Sequence, residues 1–210
     1  MKTGLVLEGG AMRGMYTAGV LVVMMENNIT VDGTIGVSAG ATFGCNFKSK
    51  QIGRTIRYNL KYSKDPRYVG IRSLIKTGDL YGADFCYRQL PEKLDVFDIK
   101  TYQENPMEFY AVATDIETGK PVYHKCPNGD RVDVEWYRAS ASMPLVSNIV
   151  EIDGQKMLDG GIADPIPIHE FQKMGYDRNV IILTQHDGYR KKKSSALPLI
   201  KLKMGKKYPN

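Results

Sequence analysis

The sequence predicts an α/β protein of three layers, α/β/α, around a mainly parallel central sheet. Short apolar, β-rich runs recur at residues 3–8 (TGLVLE), 33–37 (GTIGV), 109–114 (FYAVAT) and 180–184 (VIILT). Segments with apolar residues at helical spacing lie between them, the first over residues 13–26. Strands that are apolar throughout are covered on both faces, and strands alternating with helices build parallel sheets.

The first run stops at Gly9-Gly10. The helix after it carries Met15, Tyr16, Val20, Val23 and Met24 as its expected inner stripe, and Asn27-Asn28 stop it. Residues 33–37 read as a second buried strand, and 39–43 lead into a helix. Residues 48–62 are basic and partly helical, 66–79 loop-like and 81–94 helical. Beyond the strand at 109–114, turn residues fill 115–120, and Val122-Tyr123-His124 begin another strand. Residues 134–142 form a short helix ended by Pro144. Asp153-Gly154 turn a hairpin between 148–153 and 155–158. A helix at 168–174 precedes the last buried strand at 180–184.

A chain of 210 residues suits one domain with its own core. That domain is placed at residues 1–186, followed by a basic segment at 187–210. Apolar residues at 42% and charged residues at 25% fit a soluble globular class rather than disorder. The three cysteines, Cys45, Cys86 and Cys126, are widely spaced and read as reduced thiols, with no zinc-like spacing among them. No apolar run approaches the ~20 residues of a spanning helix. The N-terminal run is too short for a signal-peptide core, so the expected location is cytoplasmic. Residues 187–210 hold eight basic residues and one acid, a net +7, which leaves −1 for the rest of a chain whose total is +6. Such a segment suits peripheral contact with anionic lipid headgroups, nonspecific contact with nucleic acid, or plain solvation.

Three motifs could carry chemistry. Gly36-Val37-Ser38-Ala39-Gly40 has the G-x-S-x-G pattern, with a strand before it and a helix after it. A strained strand-to-helix turn of this kind exposes a serine hydroxyl at a helix N-terminus; the alternative is a tight turn with a capping serine. Gly9-Gly10-Ala11-Met12-Arg13-Gly14 also joins strand to helix. Its glycines permit an oxyanion hole, a phosphate cradle or an ordinary tight turn. Asp159-Gly160-Gly161 ends a predicted strand and aims a carboxylate beside two small residues. All three sit at strand ends, where open α/β sheets bind ligands. The order Ser38, Asp159, His186 obeys the α/β-hydrolase sequence. However, only one strand precedes Ser38, too few for that fold. His124 and His169 are equally poor candidates for a catalytic role.

Together these residues resemble the patatin-like phospholipase family, and its smaller bacterial members in particular. The order and spacing of the Gly-rich run, the serine elbow and the D-G-G motif agree with the family over roughly residues 3–185. Ala139-Ser140-Ala141-Ser142-Met143-Pro144 looks like the turn before the family's aspartate. The resemblance implies a serine-dependent lipid acyl hydrolase of phospholipase A or esterase type. In it Ser38 is the nucleophile and Asp159 the base. Gly9, Gly10, Ala11, Met12, Arg13 and Gly14 form the oxyanion hole, with Gly36, Gly40, Gly160 and Gly161 supporting elbow and dyad. The substrate is a lipid or ester, and neither metal nor cofactor is implied. Arg13 would anchor the loop or a headgroup, and residues 187–210 would start a truncated helical region. One departure is Ala11, where the family has a third glycine; a positive φ there would be strained. Two rivals stay open. One is a nucleotide-binding Rossmann-type protein using Gly9 to Gly14 with Asp32 as the ribose-binding acid. The other is a lipid-binding protein without catalysis.

Overall fold

Strand β1 (Lys2–Leu7) is buried along its last four residues and ends at the Gly-rich loop. The structure, a computed structural model, describes residues 1–190, 196–205 and 207–208. After a 3-10 turn at Ala11–Arg13 come α1 (Gly14–Glu26), β2 (Gly33–Val37), α2 (Ala39–Lys48), α3 (Arg54–Tyr62) and α4 (Ile71–Thr77). A π-helical stretch, Phe85–Leu94, contains Pro91. Then follow α5 (Ile99–Glu104), β3 (Glu108–Asp115), β4 (Lys120–Lys125), α6 (Arg131–Ser140), β5 (Val150–Ile152), β6 (Gln155–Asp159), α7 (Ile168–Lys173), β7 (Tyr176–Ile182) and α8 (Leu197–Met204).

The strands form one seven-stranded sheet. Its centre is parallel: β7, β1, β2 and β3 lie side by side in one direction. β4, β6 and β5 extend it antiparallel. Alternation along the central strands sends side chains to two helical layers. Leu5 and Leu7 pack with Leu21, Met24 and Phe47 of α1 and α2, whereas Val6, Ile35 and Val37 pack with Phe171 of α7. The three-layer α/β/α arrangement expected from the sequence is therefore present, with the antiparallel strands gathered at one side.

Several local expectations are corrected. The 66–79 stretch contains α4, held by its own turn hydrogen bonds, with Ser73 Oγ donating to the Asp79 carbonyl at 2.7 Å. The last strand is not fully buried. β7 lies at the end of the sheet order, and Val180 and Ile181 are 55% and 41% exposed. The inner stripe of α1 is also different. Tyr16 and Val23 face outward, while Thr17, Ala18, Leu21 and Met24 are buried. Small residues let α1 approach α2: a Cβ at Gly14 would stand 2.8 Å from the Ala39 Cβ. Of the basic segment, Lys191, Lys192, Lys193 and Lys206 lie outside the described residues. Among the described residues no helix is long and apolar enough to cross a membrane.

One ion cluster ties the sheet together beneath β3. Glu108 accepts hydrogen bonds from Lys125 and, at 2.5 Å, from the Tyr176 hydroxyl. Those donors, Lys125 first, lower its pKa from 4.5 to about 2. A depressed carboxyl stabilises the fold above its unfolded value, and that contribution disappears as pH falls through the folded value. Glu108→Gln is therefore expected to destabilise the protein at neutral pH by about 1–2 kcal/mol. The deficit should shrink between pH 4.5 and 2, the interval between the two values, as read from urea midpoints along a pH series.

Candidate active site

Two strands meet head to head to build the site. β2 pairs with β3 up to Val37↔Val112, and β6 takes over at the next residue, Ala113↔Asp159. β4 runs along residues 110–115 of β3 and occupies one edge, so β2 and β6 share the other. β6 is antiparallel to β3 and β2 parallel, so they run toward each other and stop at one point. Ser38 follows β2, and Asp159 ends β6.

At that point the Ser38 hydroxyl donates to Asp159 Oδ2 at 2.6 Å, the length of an O–H···O⁻ bond. Both residues are 7% exposed. Ser38 has φ 54° and ψ −120°, and α2 begins at the next residue. A non-glycine residue at positive φ is uncommon and turns the side chain out of the strand. The hydroxyl makes no capping bond to α2, which removes the capping-serine alternative. The Ser38 amide instead donates to Ser140 Oγ at 2.8 Å. Asp159 is fixed from several sides. Its Oδ1 accepts from the Gly161 amide at 2.8 Å. Its own amide donates to the Ser142 carbonyl at 2.8 Å, and its carbonyl accepts from Thr114 Oγ1 at 2.8 Å.

The glycines around this pair are demanded by close backbone approach. A Cβ at Gly40 would stand 2.3 Å from the Leu7 carbonyl oxygen, and one at Gly36 2.5 Å from the Gly40 carbonyl carbon. At Gly160 it would meet the Val112 carbonyl oxygen at 2.1 Å.

The Gly-rich loop passes directly beside the serine. A Cβ on Gly9 would be 2.9 Å from the Ser38 Cβ. Ala11 does adopt positive φ, 48°, so the departure from glycine stores strain of about 1–3 kcal/mol. The Arg13 amide donates to the Gly10 carbonyl at 3.0 Å and the Gly14 amide to Ala11 and Met12. The amides of Gly10, Ala11 and Met12 have no hydrogen-bond partner among the described residues. Gly14 serves helix packing, and the exposed Arg13 side chain makes no ion pair among the described residues that would anchor the loop. The anchor is Glu8, whose Oε2 accepts from the Thr184 amide at 2.5 Å and hydroxyl at 3.0 Å. The same Thr184 hydroxyl lies 2.9 Å from the Gly9 carbonyl oxygen, so its one proton is shared between the two acceptors. Glu8 heads the run Glu8-Gly9-Gly10-Ala11-Met12-Arg13-Gly14 that resembles the family's motif, but the sequence shows neither its anchoring role nor Thr184 as its partner. The only signal was an acid directly before the glycines; its partner lies 176 positions away.

A cleft opens at this pair, lined near its mouth by Ala11, Met12, Ser38 and Thr42. Its inner wall is aromatic, with Phe43, Tyr58, Tyr68, Tyr87, Phe97 and Tyr137. Two polar groups of the wall are held by hydrogen bonds. Arg54 Nη1 donates to Asn46 Oδ1 at 2.7 Å, and the Tyr68 hydroxyl to Asn59 Oδ1 at 2.6 Å. Cys45 and Cys86 also line it, and burial pushes each thiol up to about 12. Neither is therefore a thiolate at neutral pH, which leaves Ser38 as the activated nucleophile candidate.

The histidines stand apart. His124 stacks on Trp136 at 4.2 Å, and His186 Nδ1 lies 2.7 Å from the Asp187 carbonyl oxygen. His169 is exposed on α7. Among the described residues His124, Cys126 and Asp133 bring potential metal-ligand atoms within 4.8 Å of one another. The Asp133 carboxylate already accepts from the Asn128 and Gly129 amides at 2.7 and 2.6 Å, which gives Asp133 a role in closing that loop. Asp32 accepts from the Thr3 amide and hydroxyl at 2.6 and 2.8 Å. It thus sits at the start of β1 and β2, the opposite end of the sheet from Gly9, and cannot serve a ligand held at the Gly-rich loop.

The family model for patatin-like phospholipases matches residues 5–171, and the chain belongs to that family. It is 29% identical over 189 residues to "Uncharacterized protein YjjU" of Escherichia coli K12, covering 87% of this chain and 52% of that protein. It is 26% identical over 189 residues to "Lysophospholipase nte1" of Aspergillus terreus, covering 84% and 11%. The crystal structure of VipD from Legionella pneumophila aligns with a TM-score of 0.45 at 15% identity, covering 78% of this chain and 46% of that one. The chain spans about half the length of the bacterial relative and about a tenth of the fungal one.

Proposed function

We propose that the chain is a carboxylic ester hydrolase acting on lipid acyl groups through a Ser38–Asp159 dyad. The observation that carries this reading is the 2.6 Å contact between the Ser38 hydroxyl and the Asp159 carboxylate at the mouth of an aromatic cleft. Asp159 accepts the hydroxyl proton as Ser38 Oγ attacks the ester carbonyl carbon. The tetrahedral oxyanion is met by free main-chain donors of the Gly10–Met12 turn. It collapses to an acyl-enzyme as the proton passes to the leaving alcohol. Water, deprotonated in turn by Asp159, then attacks the acyl-enzyme and releases the fatty acid with Ser38 regenerated. The apolar wall suits an acyl chain, which no specific polar group need recognise.

The test is fatty-acid release from phospholipid and lysophospholipid vesicles, beside turnover of a short-chain nitrophenyl ester. Release by the native chain and none by Asp159→Asn is the expected result. Vesicle binding with no release would instead favour a binding protein on this fold. The loop carries its own prediction. One oxyanion donor is worth about 2.7–4 kcal/mol, so its alignment matters. Ala11→Gly should keep turnover, because glycine accepts positive φ freely. Ala11→Val, β-branched at such a φ, should lower kcat about tenfold or more, given a strain of ~1–3 kcal/mol, in protein whose Tm shows it folded.

A further inference from the structure

The charge of this chain is not confined to its end. Between residues 57 and 76 lie six basic residues, Arg57, Lys61, Lys64, Arg67, Arg72 and Lys76, all exposed, against the single acid Asp65. Within the same stretch α4 is turned inside out. Ile71 and Ile75, one turn apart, are 73% and 80% exposed, while Ser73 is buried against the body of the protein. Arg72 and Lys76 flank the two isoleucines on the outer face, and neither has an ion-pair partner among the described residues. α4 also belongs to the cleft structurally. It is carried on a neck closed by the Val69↔Tyr81 bridge and by the Gly82 amide donating to the Tyr68 carbonyl at 3.0 Å. The rings of Tyr68 and Tyr81, 5.9 Å apart, form part of the cleft wall. The far side of the excursion is pinned by Asn148, which donates to the Thr77 carbonyl at 2.7 Å and to Asp79 Oδ2 at 2.9 Å.

We infer that the outer face of α4 is a docking surface for an anionic lipid bilayer, seating the cleft against the membrane that holds its substrate. Large apolar side chains held out in water beside unpaired cations fit the headgroup layer. There, isoleucines reach toward the acyl boundary while Arg and Lys stems extend to phosphates. Charge complementarity selects this occupant: Arg72 and Lys76, without an ion pair among the described residues, stand beside the apolar ridge and match anionic headgroups, whereas Arg57 and Arg67 are held by Asp95 and Asp65. The inference deepens the lipid-hydrolase reading and rests on it for the substrate, but its test reads binding alone.

The full chain is prepared as Ser38→Ala, so that vesicles survive, and sedimented with vesicles of phosphatidylcholine mixed with phosphatidylglycerol or of phosphatidylcholine alone. Preference for the anionic vesicles, weakened by salt, is expected. The pairs Ile71→Ser with Ile75→Ser, and Arg72→Glu with Lys76→Glu, should each weaken that binding about tenfold or more at unchanged Tm. A third variant, Lys191→Ala with Lys192→Ala and Lys193→Ala, tests the C-terminal segment as the rival contact. The inference is overturned if both α4 pairs bind as the parent does, if only the third variant loses binding, or if the parent binds neither vesicle. None of these outcomes depends on turnover, so failure of the docking surface and failure of the hydrolase reading are told apart.

Discussion

Ser38→Ala is expected to reduce kcat for ester hydrolysis by a factor of about 10⁶, the scale of loss when a hydrolase nucleophile is removed. Alanine retains the backbone at φ 54° and the Ser38 amide bond to Ser140. The Asp159 carboxylate also keeps its Gly161 donor, so the fold should survive with a Tm within a few degrees of the parent. Asp159→Asn removes the proton acceptor and leaves Ser38 un-ionised, with a loss of similar scale. Residues acting as one unit do not add, so the double variant should be no slower than the worse single one. Additive losses in the double variant would mean that the two residues do not share a step.

Gly40→Ala is the second large effect, and it acts first on stability. The added methyl would lie 2.3 Å from the Leu7 carbonyl oxygen and 2.9 Å from the Leu7 Cβ. The first of these is backbone of the central strand and cannot rotate away. Overpacking in a dense core typically costs about 1–3 kcal/mol, and a backbone clash lies at or above the top of that range. For a domain of this size each kcal/mol lowers Tm by about 2–4 °C, so a drop near 10 °C is expected. Gly160→Ala, 2.1 Å from the Val112 carbonyl oxygen, should behave alike. Relief of either clash by pushing α2 or the Asp159 turn outward would also part the 2.6 Å pair, so residual folded protein should be slow. Thermal melts with kcat per folded molecule separate the two losses. A Gly40→Ala protein with parental Tm would contradict the packing described for the elbow.

The pairing of Ser38 with Asp159 was legible in the sequence because its demands are local. A serine at positive φ needs small neighbours, and those appear as Gly36 and Gly40. The aspartate needs a strand end beside glycines, and those are Gly160 and Gly161. The parallel centre of the sheet was legible too, since apolar runs such as GTIGV carry their burial in composition. What escaped was set by distant partners. Glu8 and Thr184 meet only once β7 lies beside β1. The inner face of α1 follows helix–helix distance rather than hydrophobicity, which is why Thr17 is buried and Tyr16 is not. α4 reads as loop because its apolar residues do not face the core, and the periodicity argument assumes that they do. The basic stretch at 57–76 was hidden by acids elsewhere in the domain, which bring the sum for residues 1–186 to −1.

The account stands on an activated hydroxyl at one position. Incubation with a fluorophosphonate, proteolysis and mass spectrometry of the adduct test that directly. A single phosphonyl group on the peptide containing Ser38, absent from Ser38→Ala and strongly slowed in Asp159→Asn, is the predicted result. An adduct on another residue, or none on folded protein, would contradict it.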